Sequence, residues 1–199
     1  MNNRLLYKNY IFLEKINNLV KENLLKFSNI SIIIDISHDK IKKSKNALSI
    51  INFARKNKIP FIIKNNFQEC VKYKADGILI EQQNKKNIKP LLLKRKFDII
   101  GKAHNQLEYL QKVNQNCSLI MLSPLFFNKK YSKYKILDVL KFNNFTLNWK
   151  TPICALGGIN FQTLKKIRLL KTKNLSFKSF IFEPKIKKPA CKFNCRLVS

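Results

Sequence analysis

The chain has 199 residues, 45% of them hydrophobic, and 40 Lys+Arg against 11 Asp+Glu, for a net charge of +29. That is enough apolar material for a full core in one domain, two at most. The basic excess is mostly lysine, scattered from Lys8 to Lys192 among Asn and Ile; with no arginine-rich arm, zinc-ligand spacing or aromatic-plus-basic motif, it reads as compositional bias rather than a nucleic-acid face.

In chain order, Tyr10 to Leu13 predicts a first strand and Glu14 to Phe27 a helix. Ile30 to Ile36 is a β-branched run and reads as a strand. Ile41 to Lys56 is helical, with Ile41, Ala47, Leu48, Ile51 and Ala54 as its inner face. Ile59 to Ile63 is a third strand and Asn66 to Tyr73 a short helix. Ile78 to Ile80 is a fourth strand, followed by a helix at Ile88 to Arg95 with Pro90 in its first turn, where proline is tolerated. Asp98 to Gly101, Gln106 to Val113 and Ser118 to Leu122 read as strand, helix and strand. A polar loop then runs through Lys135, Leu137 to Phe142 is a short helix, and Ile153 to Leu156 is the seventh strand. Phe161 to Leu170 reads as a helix with Phe161, Leu164, Ile167 and Leu169 or Leu170 on its apolar side, and Phe177 to Phe182 as an eighth strand.

The N-terminus has no apolar signal core, and no stretch approaches the ~18 apolar residues of a membrane span. The five cysteines are Cys70, Cys117, Cys154, Cys191 and Cys195. An odd number, with Cys117 and Cys154 in apolar runs, predicts reduced thiols and a cytoplasmic chain. Cys191 and Cys195 lie in a basic tail with no nearby His, too few ligands for zinc.

Strands separated by helical or loop segments predict an α/β chain with a parallel sheet. The alternation fits a doubly wound sheet as well as a closed barrel, and a (β/α)8 barrel usually takes about 250 residues. Position favours the barrel. Polar and glycine signals follow the apolar runs at Lys64-Asn65-Asn66, Glu81 to Asn84, Lys102 to Asn105, Ser123 to Lys130 and Gly157-Gly158. Those are C-terminal strand ends, where barrel enzymes carry their sites. The expectation is a compact (β/α)8 TIM barrel, a single domain over residues 1–183, with a basic tail over 184–199.

The chain has only four glycines, and two of them are adjacent in Thr151-Pro-Ile-Cys-Ala-Leu-Gly-Gly-Ile-Asn160. A buried strand entering a paired-glycine turn and a helix start presents backbone N–H groups with no side chain in the way, a seat for phosphate. The same residues also suit a tight strand-to-helix turn with no ligand.

Five segments, Ile-Pro-Phe-Ile-Ile-Lys-Asn (59–65), Ala-Asp-Gly-Ile-Leu-Ile-Glu-Gln-Gln-Asn (75–84), Ile-Ile-Gly-Lys-Ala-His-Asn (99–105), Ser-Pro-Leu-Phe (123–126) and Ala-Leu-Gly-Gly-Ile (155–159), follow one another in the order and spacing of the thiamine-phosphate synthase/TenI family. The chain resembles that family over about residues 59 to 183, with a weaker fit from Tyr10 to Lys56. The resemblance implies a compact barrel that joins hydroxymethylpyrimidine diphosphate to thiazole phosphate with loss of pyrophosphate, or a TenI-type relative acting on the thiazole. It places the thiazole phosphate at the loops after strands seven and eight, with Gly157 and Gly158 in the first. It implies a Mg²⁺ cofactor held by Asp residues that close the motifs after strands three and four.

Those two positions are Asn65 and Asn84 here, and the loss of two negative charges weakens a hard-cation site. The family's Gln-x-Arg motif after strand two is absent from Ile34 to Lys40, where Asp35 or Asp39 are the available carboxylates. While the metal site loses charge, lysines gain positions around the same mouth: Lys64 stands at the family's Asn position, Lys102 at its Ser position, and Asn128-Lys129-Lys130-Tyr131 at its Thr-x-Thr-Lys loop. Lys64, Lys102, Ser123, Asn128, Lys129 and Lys130 are therefore the candidate anion and substrate ligands. The TenI-type histidine position is Ser123, His104 suits a helix cap, and His38 lies in a polar loop. A phosphorylated small molecule is the expected partner. The alternatives are a non-catalytic or TenI-like phosphate-ligand barrel and a basic nucleic-acid-binding barrel.

Overall fold

Eight short parallel strands close on themselves in sequence order, β1 pairing with both β2 and β8. They are β1 (Asn9–Leu13), β2 (Ile30–Ile34), β3 (Phe61–Lys64), β4 (Gly77–Ile80), β5 (Asp98–Ala103), β6 (Leu119–Leu122), β7 (Ile153–Leu156) and β8 (Asn174–Phe177). The helices are α1 (Asn18–Leu25), α2 (Ile41–Lys56), α3 (Phe67–Lys72), α4 (Gln106–Asn114), α5 (Asp138–Phe145) and α6 (Leu164–Ile167), with a 3₁₀ turn at Phe180–Phe182. This computed structural model describes residues 8–36, 41–87, 97–127, 135–160, 162–178 and 180–182. The expected helix at Ile88 to Arg95 and the 184–199 tail, with Cys191 and Cys195, lie outside the described residues.

Closure sorts side chains by period two. Tyr10, Ile33, Ile62, Leu79, Ile100, Leu119, Met121, Cys154 and Leu156 form one buried cluster inside the barrel, with Phe12 packed on it. Their neighbours in sequence, such as Ile11, Ile32, Ile34, Ile63, Ile78 and Ile120, face outward into a second, larger cluster with Val20, Leu24, Ile50, Ile51, Ala54 and Phe142 from the helices. Both faces of the strands are buried, which is why most of them read as apolar runs rather than alternating ones, β8 (Asn-Leu-Ser-Phe) being the exception.

The structure departs from the sequence expectations in four places. The eighth strand is Asn174–Phe177, not Phe177 to Phe182. Asn174 and Ser176 face the small interior, paired in register with Cys154 and Leu156, and the Asn174 amide donates to Ile153 O at 3.3 Å. In α2 the buried stripe is Ala47, Ile50, Ile51 and Ala54, while Leu48, one helical step off it, is 41% exposed. Helix α1 starts at Asn18 rather than Glu14 because the Asn17 side chain accepts from Val20 N at 2.9 Å, a cap that fixes the first turn. Helix α6 is only four residues long, since Asn160 Oδ1 accepts from Gln162 N and Thr163 N and holds a turn where the helix was expected to begin.

On the outer face of β5, Gly101 lets α4 approach closely. A Cβ there would lie 2.8 Å from Cβ and Cγ of Lys112 and 3.0 Å from Cys117 Sγ. Gly101→Ala is expected to lower unfolding free energy by about 1–3 kcal/mol through overpacking, seen as a lower urea midpoint.

Candidate active site at the barrel mouth

The interior parity, carried one step past the apolar layer, puts a polar ring at the C-terminal ends of the strands. Two residues beyond Phe12, Ile33, Ile62, Leu79, Ile100, Met121 and Ser176 come Glu14, Asp35, Lys64, Glu81, Lys102, Ser123 and Lys178. Adjacent members pair. Lys64 Nζ lies 3.1 Å from Asp35 Oδ2 and 3.2 Å from Glu81 Oε1, and Lys102 Nζ lies 3.3 Å from Glu81 Oε2. On the far side of β1, Lys178 Nζ lies 2.7 Å from Glu14 Oε1. One carboxylate is thus shared, oxygen by oxygen, between two ammonium groups.

Burial sets the strength of this chain of charges. The Glu81 side chain is 11% exposed and the Asp35 side chain 45%. Desolvation pushes the Glu81 carboxyl up, but Lys102 and Lys64 outweigh it and hold the group below its ordinary 4.5. Desolvation likewise pulls Lys64 down, and Asp35 and Glu81 outweigh it, leaving the ammonium above its ordinary 10.5. Both shifts favour the ionised forms of Glu81 and Lys64.

The turn after β4 is framed from beneath by a buried lysine. Lys112 Nζ donates to Glu81 O, Asn84 O and Gln115 Oε1, each at 2.8 Å. Gln115 Nε2 adds bonds to Asn84 O at 3.0 Å and Lys86 O at 2.9 Å. Lys112 is fully buried, and desolvation pulls its pKa down. Neither Lys112 nor Glu81 stood out among the sequence-level candidates. Glu81 could have been found by extending the inward parity of β4; Lys112 was hidden among many lysines.

The expected metal positions do not fit a Mg²⁺ ion. Asn65 Oδ1 already accepts from Glu81 N at 2.9 Å and Asn84 Nδ2 at 3.3 Å, which fills both lone pairs of an amide oxygen. Asn84 Oδ1 accepts from Lys86 N at 2.9 Å. Both groups are neutral, and the nearby carboxylates Asp35 and Glu81 are engaged by lysines. Among the described residues no group of three or more His, Cys, Asp or Glu is placed to hold a metal.

At β7 the glycine pair occupies left-handed backbone, with φ of 101° at Gly157 and 69° at Gly158. The loop after β6 crosses against it. A Cβ on Gly158 would lie 2.6 Å from Phe126 C and O, so glycine is needed for both conformation and space. The carbonyls are used: Gly157 O accepts from Phe126 N at 3.1 Å, and Gly158 O from Thr163 Oγ1 at 3.1 Å. Because α6 begins at Leu164 and is short, the helix-start half of the expected phosphate seat is missing; the turn's amides are what remains. Ser123 is 2% exposed, and its Oγ has no hydrogen-bond partner among the described residues.

His104 serves the α4 cap. Its N–H donates to Glu108 Oε2 at 2.7 Å, and its Nδ1 lies 3.1 Å from the same oxygen. Asn105 Oδ1 accepts from Glu108 N at 2.9 Å, a reciprocal cap of the box type. His38, Asp39, Asn128, Lys129 and Lys130 lie outside the described residues.

A single eight-stranded parallel barrel with an ion-paired mouth and a left-handed glycine turn at β7 defines a (β/α)8 barrel protein. Residues 12–180 match the family described as thiamine monophosphate synthase, and the chain belongs to that family. It is similar to the thiamine-phosphate synthase of Pelagibacter ubique, 30% identical over 161 residues covering 75% of this chain and 76% of the relative. It is also similar to that of Prochlorococcus marinus, 27% identical over 121 residues, where the match spans 58% of this chain and only 34% of the relative. Among solved structures, thiamine phosphate pyrophosphorylase from Pyrococcus furiosus superposes with a TM-score of 0.75 at 14% identity, covering 100% of both chains. KGPDC from Streptococcus mutans gives 0.60 at 11%, covering 97% of this chain and 98% of that one. These structural likenesses show the shared fold. No helix among the described residues is long and apolar enough to cross a membrane.

The Glu81 bridge carries a pH signature. Its folded pKa is lowered below the unfolded value of 4.5, so its stabilising contribution is complete above that value and is lost as pH falls through the folded pKa. Glu81→Gln is expected to cost about 1–2 kcal/mol at neutral pH. The gap between wild type and variant should close in acid, as measured by urea unfolding over a pH series.

Proposed function

We propose that the chain is a thiamine-phosphate synthase-type transferase working at the C-terminal mouth of the barrel. The observation that carries this reading is convergence: Lys64, Glu81, Lys102, Ser123 and Gly157-Gly158, from five different strand ends, surround one opening. The reaction would break the bond between the pyrimidine methylene carbon and its diphosphate oxygen, the electron pair leaving with pyrophosphate. The resulting carbocation would be captured by the thiazole nitrogen. In this scheme the ammonium groups of Lys64 and Lys102 stabilise charge gathering on the leaving group. The turn amides at Gly157-Gly158 seat the thiazole phosphate, and the buried Ser123 hydroxyl is a further donor facing the reactants. The apolar floor of Phe12, Met121 and Leu156 shields the cation from water.

A second reading, a phosphate-ligand barrel that binds without transfer, is supported by Asn65 and Asn84, whose neutral amides bond one another and the backbone. Rescue of a thiamine-requiring, synthase-deficient bacterium separates the two. Wild type is expected to restore growth and form thiamine phosphate in vitro, and Gly158→Ala to slow that reaction about a hundredfold by displacing the turn. Thiazole phosphate binding without product would support the second reading. The Asn65→Asp/Asn84→Asp variant, which sets two carboxylates at a 3.3 Å contact, is expected to bind Mg²⁺ more tightly than wild type in a calorimetric titration.

A further inference from the structure

The mouth holds its ammonium groups on a shared carboxylate. Lys64 and Lys102 approach opposite oxygens of one carboxylate, at 3.2 and 3.3 Å. Two cations spaced to share the geminal oxygens of a carboxylate are also spaced to share two oxygens of one phosphoryl group. Each side chain remains open to the mouth, Lys64 at 27% and Lys102 at 17% exposure. The charges of Asp35, Lys64, Glu81 and Lys102 cancel, so this group of four is neutral together with its cations already in place.

A divalent ion is not needed to build this arrangement. The turn that carries Glu81 is held by the Asn65–Asn84 amide contact and by the three bonds from Lys112. The oxygens a metal would use are occupied by these same bonds and by the ion pairs. We infer that the mouth takes a diphosphate-type anion directly on Lys64 and Lys102, without a divalent cation, and that Glu81 is the internal anion it displaces. The driving force is charge: an anion with two or more negative charges attracts the ammonium pair more strongly than a single carboxylate does. Displaced Glu81 swings towards solvent while its backbone stays fixed by Lys112. The inference rests on the mouth being the anion-binding face, as proposed above, but not on the transfer reaction.

The test is calorimetric titration of the full chain with inorganic pyrophosphate, in EDTA and in excess Mg²⁺. Binding is expected in EDTA, no stronger in Mg²⁺, and weakened by added salt. Lys64→Met and Lys102→Met should each weaken it by about tenfold. Glu81→Gln should tighten it by about fivefold, because the competitor is gone while the cations remain. Where Glu81→Gln fails to fold by circular dichroism, Asp35→Asn serves instead, since it frees Lys64 at the exposed end of the chain and should also tighten binding. Pyrophosphate binding that needs Mg²⁺, lysine variants that bind like wild type, or a carboxylate variant that binds more weakly would each overturn the inference. Failure to form thiamine phosphate with metal-free pyrophosphate binding intact would sink only the transferase reading.

Discussion

Closure of a parallel sheet imposes one constraint from which the rest of this molecule follows: every second residue of every strand must enter the same narrow interior. Apolar residues fill it through Met121 and Leu156. The next inward residue on each strand has no room below and emerges at the rim. Lys64, Glu81 and Lys102 meet because they share the inward parity: Ile80 and Gly101 are register partners, which sets Glu81 beside Lys102, and Lys64, the register partner of Leu79, reaches Glu81 Oε1 with its long side chain. The ion pairs are therefore a property of the register, and a one-residue slip in β4 would carry Glu81 out of the mouth altogether.

A rim of amides and lysines has different physics from a metal site. A Mg²⁺ site concentrates charge on one small ion and demands about six oxygens in near-octahedral order. Here positive charge is spread over flexible ammonium groups that tolerate varied geometry. The order a metal would impose on the β4 turn comes instead from Lys112, whose desolvation cost is offset by three acceptors at 2.8 Å. The closeness of Gly101 to α4 allows that lysine stem to pass beneath the turn. A small residue on the outer face of β5 and the lysine packed against it act together.

Much of this was legible in the sequence because the barrel repeats one unit. The β-branched run of β2 and the glycine pair after β7 could each be read locally, and their spacing indicated which strand ends share a face. What could not be read locally depends on tertiary company. Asn174 and Ser176 looked like loop residues because nothing in sequence shows that β8 fills a tight interior where small polar side chains fit. Leu48 looked buried because it is leucine, whereas helix phase placed Ile50 inside instead. Glu81 and Lys112 were invisible as partners, since their meeting requires the turn after β4 to lie over α4. The α6 helix was overread because Asn160 can cap a turn as well as a helix.

The ring order gives the proposed reaction a geometry. In an eight-stranded circle β3 lies opposite β7, so Lys64 stands across the mouth from the Gly157-Gly158 turn, with Lys102 one strand beyond β4. Two phosphorylated reactants held on these separate stations would keep their like charges at opposite rims and bring their uncharged ends together over the floor of Phe12, Met121 and Leu156. Neutralising one station from within, as Glu81 does, also answers a problem peculiar to this chain. A rim of uncompensated lysines on a protein of net charge +29 would repel itself and attract any polyanion. On the proposed reading, an internal carboxylate would make the site selective for anions with charge enough to dislodge it.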